Sequence, residues 1–171
     1  MDKRIAMLIT FVLGYFLLAH IFCLNTFETS SGFRYHSKNK DHAEVMNLLR
    51  RVSFMLAREM IEKDDPHGKL LLQTLENTSF IEIIDNLEQN KDIAAWNVDK
   101  GREIAIRIES NGRILNPDFL IESVFHELAH SINEKIGHGP EWQQKYENMM
   151  KYEDKYVDML TNNKFYNNIK I

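Results

Sequence analysis

The first pattern along the chain is an apolar run from Ile5 to Phe27 that contains no Lys, Arg, Asp or Glu. As a helix, about 20 of these positions would cross the roughly 30 Å hydrocarbon core of a bilayer. A secretory signal usually has only about 7–15 apolar residues, although the charged residues 2–4 would suit one. We therefore predict a single-pass N-terminal transmembrane anchor over residues 1–27, with a cleaved signal as the alternative. Basic residues lie on both sides of the run, so its orientation stays open.

The next segments change from irregular to helical patterning. Residues 28–40 are rich in Ser, Lys and Asn and lack periodicity, which predicts a linker. Asp41 can cap a helix that ends near Pro66, and residues 69–90 are compatible with either helix or strand. The apolar stripe of the predicted helix comprises Val45, Leu48, Leu49, Val52, Met55, Leu56 and Met60.

Alternation of apolar and polar residues then predicts a β-hairpin. Two β-prone runs flank the turn at residues 99–101, where Gly101 suits a positive φ. In the second run Ile104, Ile106 and Ile108 share one face. That strand is therefore expected to bury one face only.

Helical patterning returns in the C-terminal third. Asn116 and Pro117 are a cap and a first helical residue, and the helix that follows is apolar around much of its circumference. Gly137 suits a left-handed helix stop, and Pro140 opens a last helix. The apolar positions of this last helix are Trp142, Tyr146, Met149, Tyr156 and Leu160.

These elements predict an α+β domain over residues 41–160, followed by a tail at 161–171. The single cysteine, Cys23, excludes a disulfide framework and a Cys-based zinc ribbon on the folded part. Residues 41–171 hold 16 Lys and Arg against 23 Asp and Glu, so DNA binding by phosphate neutralisation is not supported. The oligomeric state stays open.

The motif "HELAH" carries the candidate chemistry. On a helix, His126 and His130 project from one face, so both rings can bind one zinc ion at about 2.0–2.1 Å. Glu127 is the neighbouring position, suited to hold the metal-bound water and to accept its proton, because zinc lowers the pKa of that water to about 7. This pattern predicts a zinc site with Glu127 as catalytic base.

A third protein ligand must come from outside that helical turn. His138 would lie about 12 Å further along an unbroken helix, so the chain has to stop and turn back. Glycines on both sides of His138 and the following proline allow such a turn. We predict His138 as the third ligand, with Glu134 or Glu141 as alternatives. Three histidines would leave one position open for water, as in catalytic zinc sites.

The run from "HELAH" to "GHGPEW" resembles the SprT and Spartan metallopeptidases. The preceding "NVDKGREIAIRIES" and "NPDFLIESVFHELAH" are still more similar to WLM-domain metallopeptidases, including membrane-anchored WLM-like proteins of large DNA viruses and algae. The resemblance covers about residues 80–150. It implies one Zn²⁺ per chain, bound by His126, His130 and His138, with Glu127 as base. It also implies a small zincin-like core with an N-terminal helix, a small sheet, the HExxH helix and a C-terminal helix.

Together these features predict a membrane-anchored zinc metallopeptidase that hydrolyses peptide bonds of a protein or peptide substrate at a viral or host membrane. The alternatives are a zinc-binding structural module without peptidase activity and a zinc amidohydrolase acting on a non-peptide amide. Arg107, Tyr146 and Tyr152 are candidate donors to the oxyanion, and the spacing selects none of them. Strand 102–108 is a candidate for pairing with an extended substrate. The substrate's identity and the side of the membrane stay open.

Overall fold

The computed structural model of the chain describes residues 25–83 and 93–169. The predicted anchor therefore lies outside the described residues, apart from its last three positions. Within the two described ranges, no helix is both long enough and apolar enough to cross a bilayer.

The described chain begins with a short antiparallel hairpin of β1 (Thr26–Glu28) and β2 (Arg34–His36). Tyr35 is buried, and its hydroxyl donates to Oδ1 of Asn47 at 3.2 Å. The prediction of an irregular linker over residues 28–40 is therefore corrected. Much of this segment belongs to a hairpin that packs on the domain. Strands of three residues place only one side chain inward, which is too few to produce a periodic signal.

The longest helix is α1 (Lys40–Glu62), followed by α2 (Gly68–Glu76). The cap of α1 is Asn39 and not Asp41 as predicted, because the Asn39 side chain accepts from the backbone N–H of His42 at 2.9 Å. Asp41 lies in the first turn, where its charge complements the helix dipole. The ambiguous region begins as helix α2 and continues as a strand.

That strand, β3 (Ser79–Glu82), belongs to a sheet with β4 (Ala95–Val98) and β5 (Glu103–Ile106). The strand order is β3-β5-β4, with β5 parallel to β3 and antiparallel to β4, so the predicted hairpin is confirmed. The expectation of a single buried face on β5 is wrong. As the central strand it is covered on both sides, and Ala105 and Arg107 are buried as well. A second hairpin joins β6 (Glu109–Ser110) to β7 (Arg113–Ile114).

Helix α3 (Pro117–Ser131) crosses the core and contacts α1, the hairpin of β4 and β5, and the C-terminal helices. It begins at Pro117 as predicted, although the side chain of Asn116 makes no capping hydrogen bond. The core between α1, α3 and the sheet is closely filled. Its fully buried side chains include Leu49, Leu56, Ile104, Ile106, Phe125 and Leu128.

The predicted last helix is two helices, α4 (Pro140–Met150) and α5 (Glu153–Thr161). The break lets the ring of Tyr156 meet that of Phe125 edge to face at 6.0 Å. Helix α6 (Lys164–Ile169) then packs against α1, so the fold continues past residue 160. Together with the sheets, these helices confirm the α+β class.

Candidate metal centre

Three imidazoles converge where α3 ends. Nε2 of His138 lies 3.0 Å from Nε2 of His126 and 3.0 Å from that of His130, and the latter two lie 3.3 Å apart. Three nitrogens this close cannot all be partnered by hydrogen bonds among themselves, because each ring nitrogen is either a donor or an acceptor and at least two of the three must have the same role. Among the residues described, these histidines are the group that could hold a metal ion.

The donor set and its spacing fit zinc. Tetrahedral donors at about 2.0–2.1 Å from zinc are about 3.3–3.4 Å from one another, close to the separations of the three Nε2 atoms. An all-imidazole set suits Zn²⁺ better than the hard cations Mg²⁺ and Ca²⁺, which prefer oxygen. His126, His130 and His138 would therefore hold one zinc ion.

The chain turns back between α3 and α4 as the predicted ligand set requires. Helix α3 ends at Ser131, and a loop over residues 132–139 carries His138 toward the helix it has just left. Gly137 adopts a φ of +92°, but it lies inside this loop and does not end α3 as predicted. Pro140 is the first residue of α4, so the loop has a defined start and end.

Two lysines hold the loop. Nζ of Lys100 donates to the backbone oxygens of Asn133, Glu134 and Lys135 at 2.5, 3.1 and 3.3 Å. On the other side the buried Lys145 donates to the backbone oxygen of Ile132 at 3.1 Å and to Oδ1 of Asn133 at 3.2 Å. Carbonyl groups after a helix C-terminus need such donors, and cations complement the negative end of the dipole. Nothing in the spacing of these residues pointed to this role.

The two alternative ligands have other surroundings. The Glu141 carboxylate accepts from Nζ of Lys145 at 2.9 Å and lies 3.5 Å from Nζ of Lys135. The hydrogen bond from Lys145 is the main reason that the pKa of Glu141 is lowered. Glu134 is exposed, and neither carboxylate belongs to the cluster of potential ligands. The geometry therefore favours His138 over both.

Trp142 forms one wall of the histidine cluster. Its ring centroid lies 4.8, 5.2 and 4.4 Å from those of His126, His130 and His138. Tyr146 stacks on the other part of this wall, at 5.0 Å and 13° from the Trp142 ring. The sequence pattern assigned both to the core stripe of a helix; Trp142 is indeed buried, but its neighbours are the candidate ligands. In the sequence, the position of Trp142 two residues after Pro140 was the available indication that it lies near His138.

Burial favours the neutral, metal-binding form of His126 and His130. It lowers the pKa of His126 and, with the charges of the other two histidines and Lys100, brings the pKa of His130 to about 4. A neutral imidazole is the form that binds a metal ion, so these rings are ready for one at neutral pH.

Glu127 is buried beside the candidate ligands. Burial raises its pKa to about 7. Within the described part of the chain, no hydrogen bond reaches its carboxylate. The side chain lines two adjoining hollows, and it is therefore placed to act on a molecule in either one.

The two hollows differ in character. The first has an apolar rim of Ile93, Ala94, Ala95 and Phe119, the last 41% exposed. The second is lined by polar and basic groups together with an exposed isoleucine: Asn97, Asp99, Lys100, Lys135 and Ile136. Strand β4 runs past both hollows. Among the described residues it is an edge strand of the sheet. The predicted pairing of a substrate with strand 102–108, which contains β5, is therefore corrected. Strands β3 and β4 already occupy both edges of β5.

A side-chain amide ties this edge strand to the metal-binding helix. Nδ2 of Asn97 donates to the backbone oxygen of Glu127 at 2.8 Å and to Oγ of Ser131 at 2.7 Å. Its Oδ1 accepts from the N–H of Gly101 at 2.8 Å. Gly101 has a φ of +94°, and a Cβ there would lie 2.7 Å from Thr74 and 2.8 Å from Ser131. The hairpin turn is therefore fitted against α3.

Of the three candidate oxyanion donors, only Tyr146 lies at the histidine cluster. Its ring centroid is 5.9 Å from that of His126, and its hydroxyl donates to Oε1 of Glu122 at 3.3 Å. Burial, with the charge of Glu122, raises the pKa of Tyr146 to about 12, so the hydroxyl keeps its proton. Nε of Arg107 instead donates to the backbone oxygen of Ile93 at 2.7 Å.

No protein-family model and no curated protein matches the chain. Among solved structures, the chain is similar to the crystal structure of Wss1 from Saccharomyces cerevisiae, with 12% sequence identity and a TM-score of 0.47. The match covers 73% of this chain and 88% of that one. This likeness does not define a function. The chemistry is therefore inferred from the residues of the site.

Proposed function

We propose that this protein is a membrane-anchored zinc metallopeptidase. One observation carries the proposal: three histidine Nε2 atoms converge to within 3.0–3.3 Å, and a buried glutamate next to one of them faces the adjoining cleft. Three ligands are the number that leaves a zinc ion one position for chemistry. A structural zinc site would be closed by a fourth protein ligand.

The residues around the cleft have the properties that peptide hydrolysis requires. When bound, zinc would polarise the scissile carbonyl group and make water a better nucleophile at neutral pH. Glu127 takes a proton from the attacking water and later passes it to the leaving amine. A base with a pKa of about 7 suits both transfers near neutral pH. Tyr146 keeps its proton and donates a hydrogen bond to the oxyanion as it forms.

An extended peptide fits the shape of the site. Backbone groups on the edge of β4 that no described strand occupies would pair with the substrate, a common mode of peptide binding. Side chains on one side of the scissile bond would then lie over the apolar hollow formed by Ile93, Ala95 and Phe119. We expect an apolar residue to be preferred there.

The anchoring part of the proposal depends on the uncharged run from Ile5 to Phe27. A membrane-inserted segment of this length would keep the domain beside a bilayer and restrict it to substrates at that surface. Extraction of membranes with alkaline carbonate tests this part separately, because an anchored chain stays in the membrane pellet.

The test of activity uses the full chain reconstituted in lipid discs, with its zinc content measured, and a peptide library read by mass spectrometry. We expect about one zinc per chain, cleavage that a chelator abolishes, and recovery when zinc is returned. One zinc without cleavage of any peptide would favour the structural module. Turnover of simple amides but not of peptides would favour an amidohydrolase, and a folded chain that binds no zinc would refute the proposal.

A further inference from the structure

The exposed side of α1 carries a basic and apolar surface away from the candidate metal centre. We call it the arginine face, and it consists of Arg50, Arg51, Phe54, Met55 and Arg58. These positions recur at helical spacing, so they lie on one side of α1. Arg51 and Arg58 are exposed, whereas Phe54 and Met55 are partly buried.

The arginines of this face lack acidic partners among the described residues. No Asp or Glu occurs between Glu44 and Glu59. Glu44 is buried, and it accepts from the backbone N–H of Ser30 at 2.6 Å. Glu59 accepts from Nζ of Lys155 at 2.5 Å. The face is therefore locally cationic in a chain whose formal net charge is -4.

Aromatic rings extend this face toward the N-terminal hairpin. The guanidinium carbon of Arg50 lies 4.5 Å from the ring centroid of Phe33 and 4.6 Å from that of Phe54. Phe33 is 45% exposed, so an apolar ring stands beside the charge. Arginine mixed with aromatic and aliphatic side chains is the composition of surfaces that lie at a lipid headgroup region.

Connectivity limits how far this surface can be from the apolar run. Phe33 follows Phe27, the last residue of that run, by six positions. At no more than about 3.6 Å per residue, the two Cα atoms are at most about 22 Å apart. The hairpin that carries Phe33 also packs on α1, which keeps the arginine face in the same neighbourhood.

We propose that the arginine face docks the domain on the anionic lipid headgroups of the membrane that holds the chain. This inference rests on the proposed anchoring and not on the proposed peptidase activity. Phosphate-bearing headgroups complement the charges of Arg51 and Arg58, which have no acidic partner in the described part of the chain, and the rings of Phe33 and Phe54 suit the boundary between headgroups and acyl chains. The acidic remainder of the domain favours a lipid surface over a long nucleic acid, which would contact more than this face.

The experiment measures how closely the face approaches the lipid. The full chain, with Cys23→Ser and Met55→Cys, is labelled at position 55 with an environment-sensitive fluorophore and reconstituted in lipid discs. One set of discs contains phosphatidylcholine alone, and the other contains about one third phosphatidylserine. Quenching by a nitroxide attached to the headgroup reports docking.

We expect strong quenching with phosphatidylserine, weaker quenching with phosphatidylcholine alone, and loss of the difference in high salt. The double variant R51Q/R58Q should reduce the ratio of docked to undocked protein about 25-fold, since each arginine near an anionic surface contributes about fivefold. K69Q/K151Q removes the same charge at other exposed positions and should leave the quenching unchanged. Circular dichroism confirms that both variants are folded.

Equal quenching in the two kinds of disc, or an equal loss in the two double variants, would overturn the proposal. A label that responds to a single-stranded oligonucleotide and not to phosphatidylserine would overturn it in favour of nucleic acid. If carbonate releases the chain, anchoring has failed; flotation of the same protein with both lipid compositions then tests the face by itself. Preferential flotation with phosphatidylserine, lost in R51Q/R58Q, would still support docking.

Discussion

Asn97 on the edge strand β4 donates a hydrogen bond to the backbone oxygen of Glu127, the residue between the first two histidines. The same amide nitrogen reaches Ser131 one helical turn further on, and the amide oxygen holds the hairpin turn at Gly101. A single side chain thus couples the edge of the sheet to the metal-binding helix.

Asn97→Ala should loosen the cleft, because it removes three hydrogen bonds. We expect the free energy of unfolding to fall by about 1–3 kcal/mol. We also expect zinc affinity to fall about 10–100-fold, as for other residues that orient metal ligands. Thermal unfolding and zinc titration measure the two effects. Asn162→Ala removes one exposed amide contact and is the control; equal effects of the two variants would show that Asn97 has no special role.

His138→Ala tests the third ligand. Loss of one of three imidazoles should weaken zinc binding more than the about 10–100-fold typical of residues that only orient a ligand. Competition with a chromophoric chelator gives the affinity, and circular dichroism checks the fold. Glu134→Ala and Glu141→Ala should bind zinc like the unmodified chain. If Glu141→Ala lost the metal and His138→Ala kept it, the ligand set would have to be revised.

Glu127→Gln should separate metal binding from catalysis. The side chain keeps its size but can no longer accept a proton, so cleavage should fall about 10²–10⁴-fold while zinc content is unchanged. Rates are compared on any peptide found in the library. Glu147→Gln, an exposed substitution on α4, should be indistinguishable from the unmodified chain. Undiminished cleavage by Glu127→Gln would rule out the role of general base.

Tyr146→Phe removes the proposed donor to the oxyanion and leaves the ring stacked on Trp142. We expect kcat to fall about 10²–10³-fold, with zinc affinity preserved. Tyr152→Phe is the matched control, because the sequence makes Tyr152 an equal candidate. Burial, followed by the charges of Glu59 and Asp65, raises the pKa of its hydroxyl, and the candidate ligands do not contribute. Equal losses in both variants would argue against a specific role for Tyr146.

Gly101→Ala tests how closely the hairpin turn fits against α3. Both Gly101 and Gly112 have positive φ, so alanine costs about 1 kcal/mol at either position. At Gly101 the new Cβ would also meet Thr74 and Ser131 at under 3 Å, whereas at Gly112 it would meet nothing within 4 Å. Urea unfolding should therefore show a clearly larger loss for Gly101→Ala. Similar losses would mean that the turn can move away from the helix.

The sequence by itself was sufficient for features that depend on local geometry. The spacing of His126 and His130 places two rings on one side of any helix, and the Asp99–Gly101 turn specifies a hairpin through its backbone preferences. Pro117 and Pro140 mark helix starts because their fixed φ and missing N–H suit a first turn. The α+β class follows from these elements.

Tertiary structure decided what depends on contacts between distant parts of the chain. The central position of β5 arises because β3 pairs with its other edge, and the break between α4 and α5 accompanies the contact of Tyr156 with Phe125. The position of Tyr146 beside the histidine cluster has the same origin, as does the clamping of the 132–139 loop by Lys100 and Lys145. Periodicity records which side of an element is apolar, but it carries no information about which neighbour covers that side. The return of His138 toward α3 depends on both sequence and tertiary structure. Glycines and a proline in the sequence permit the turn, and lysines from two other elements hold it in place.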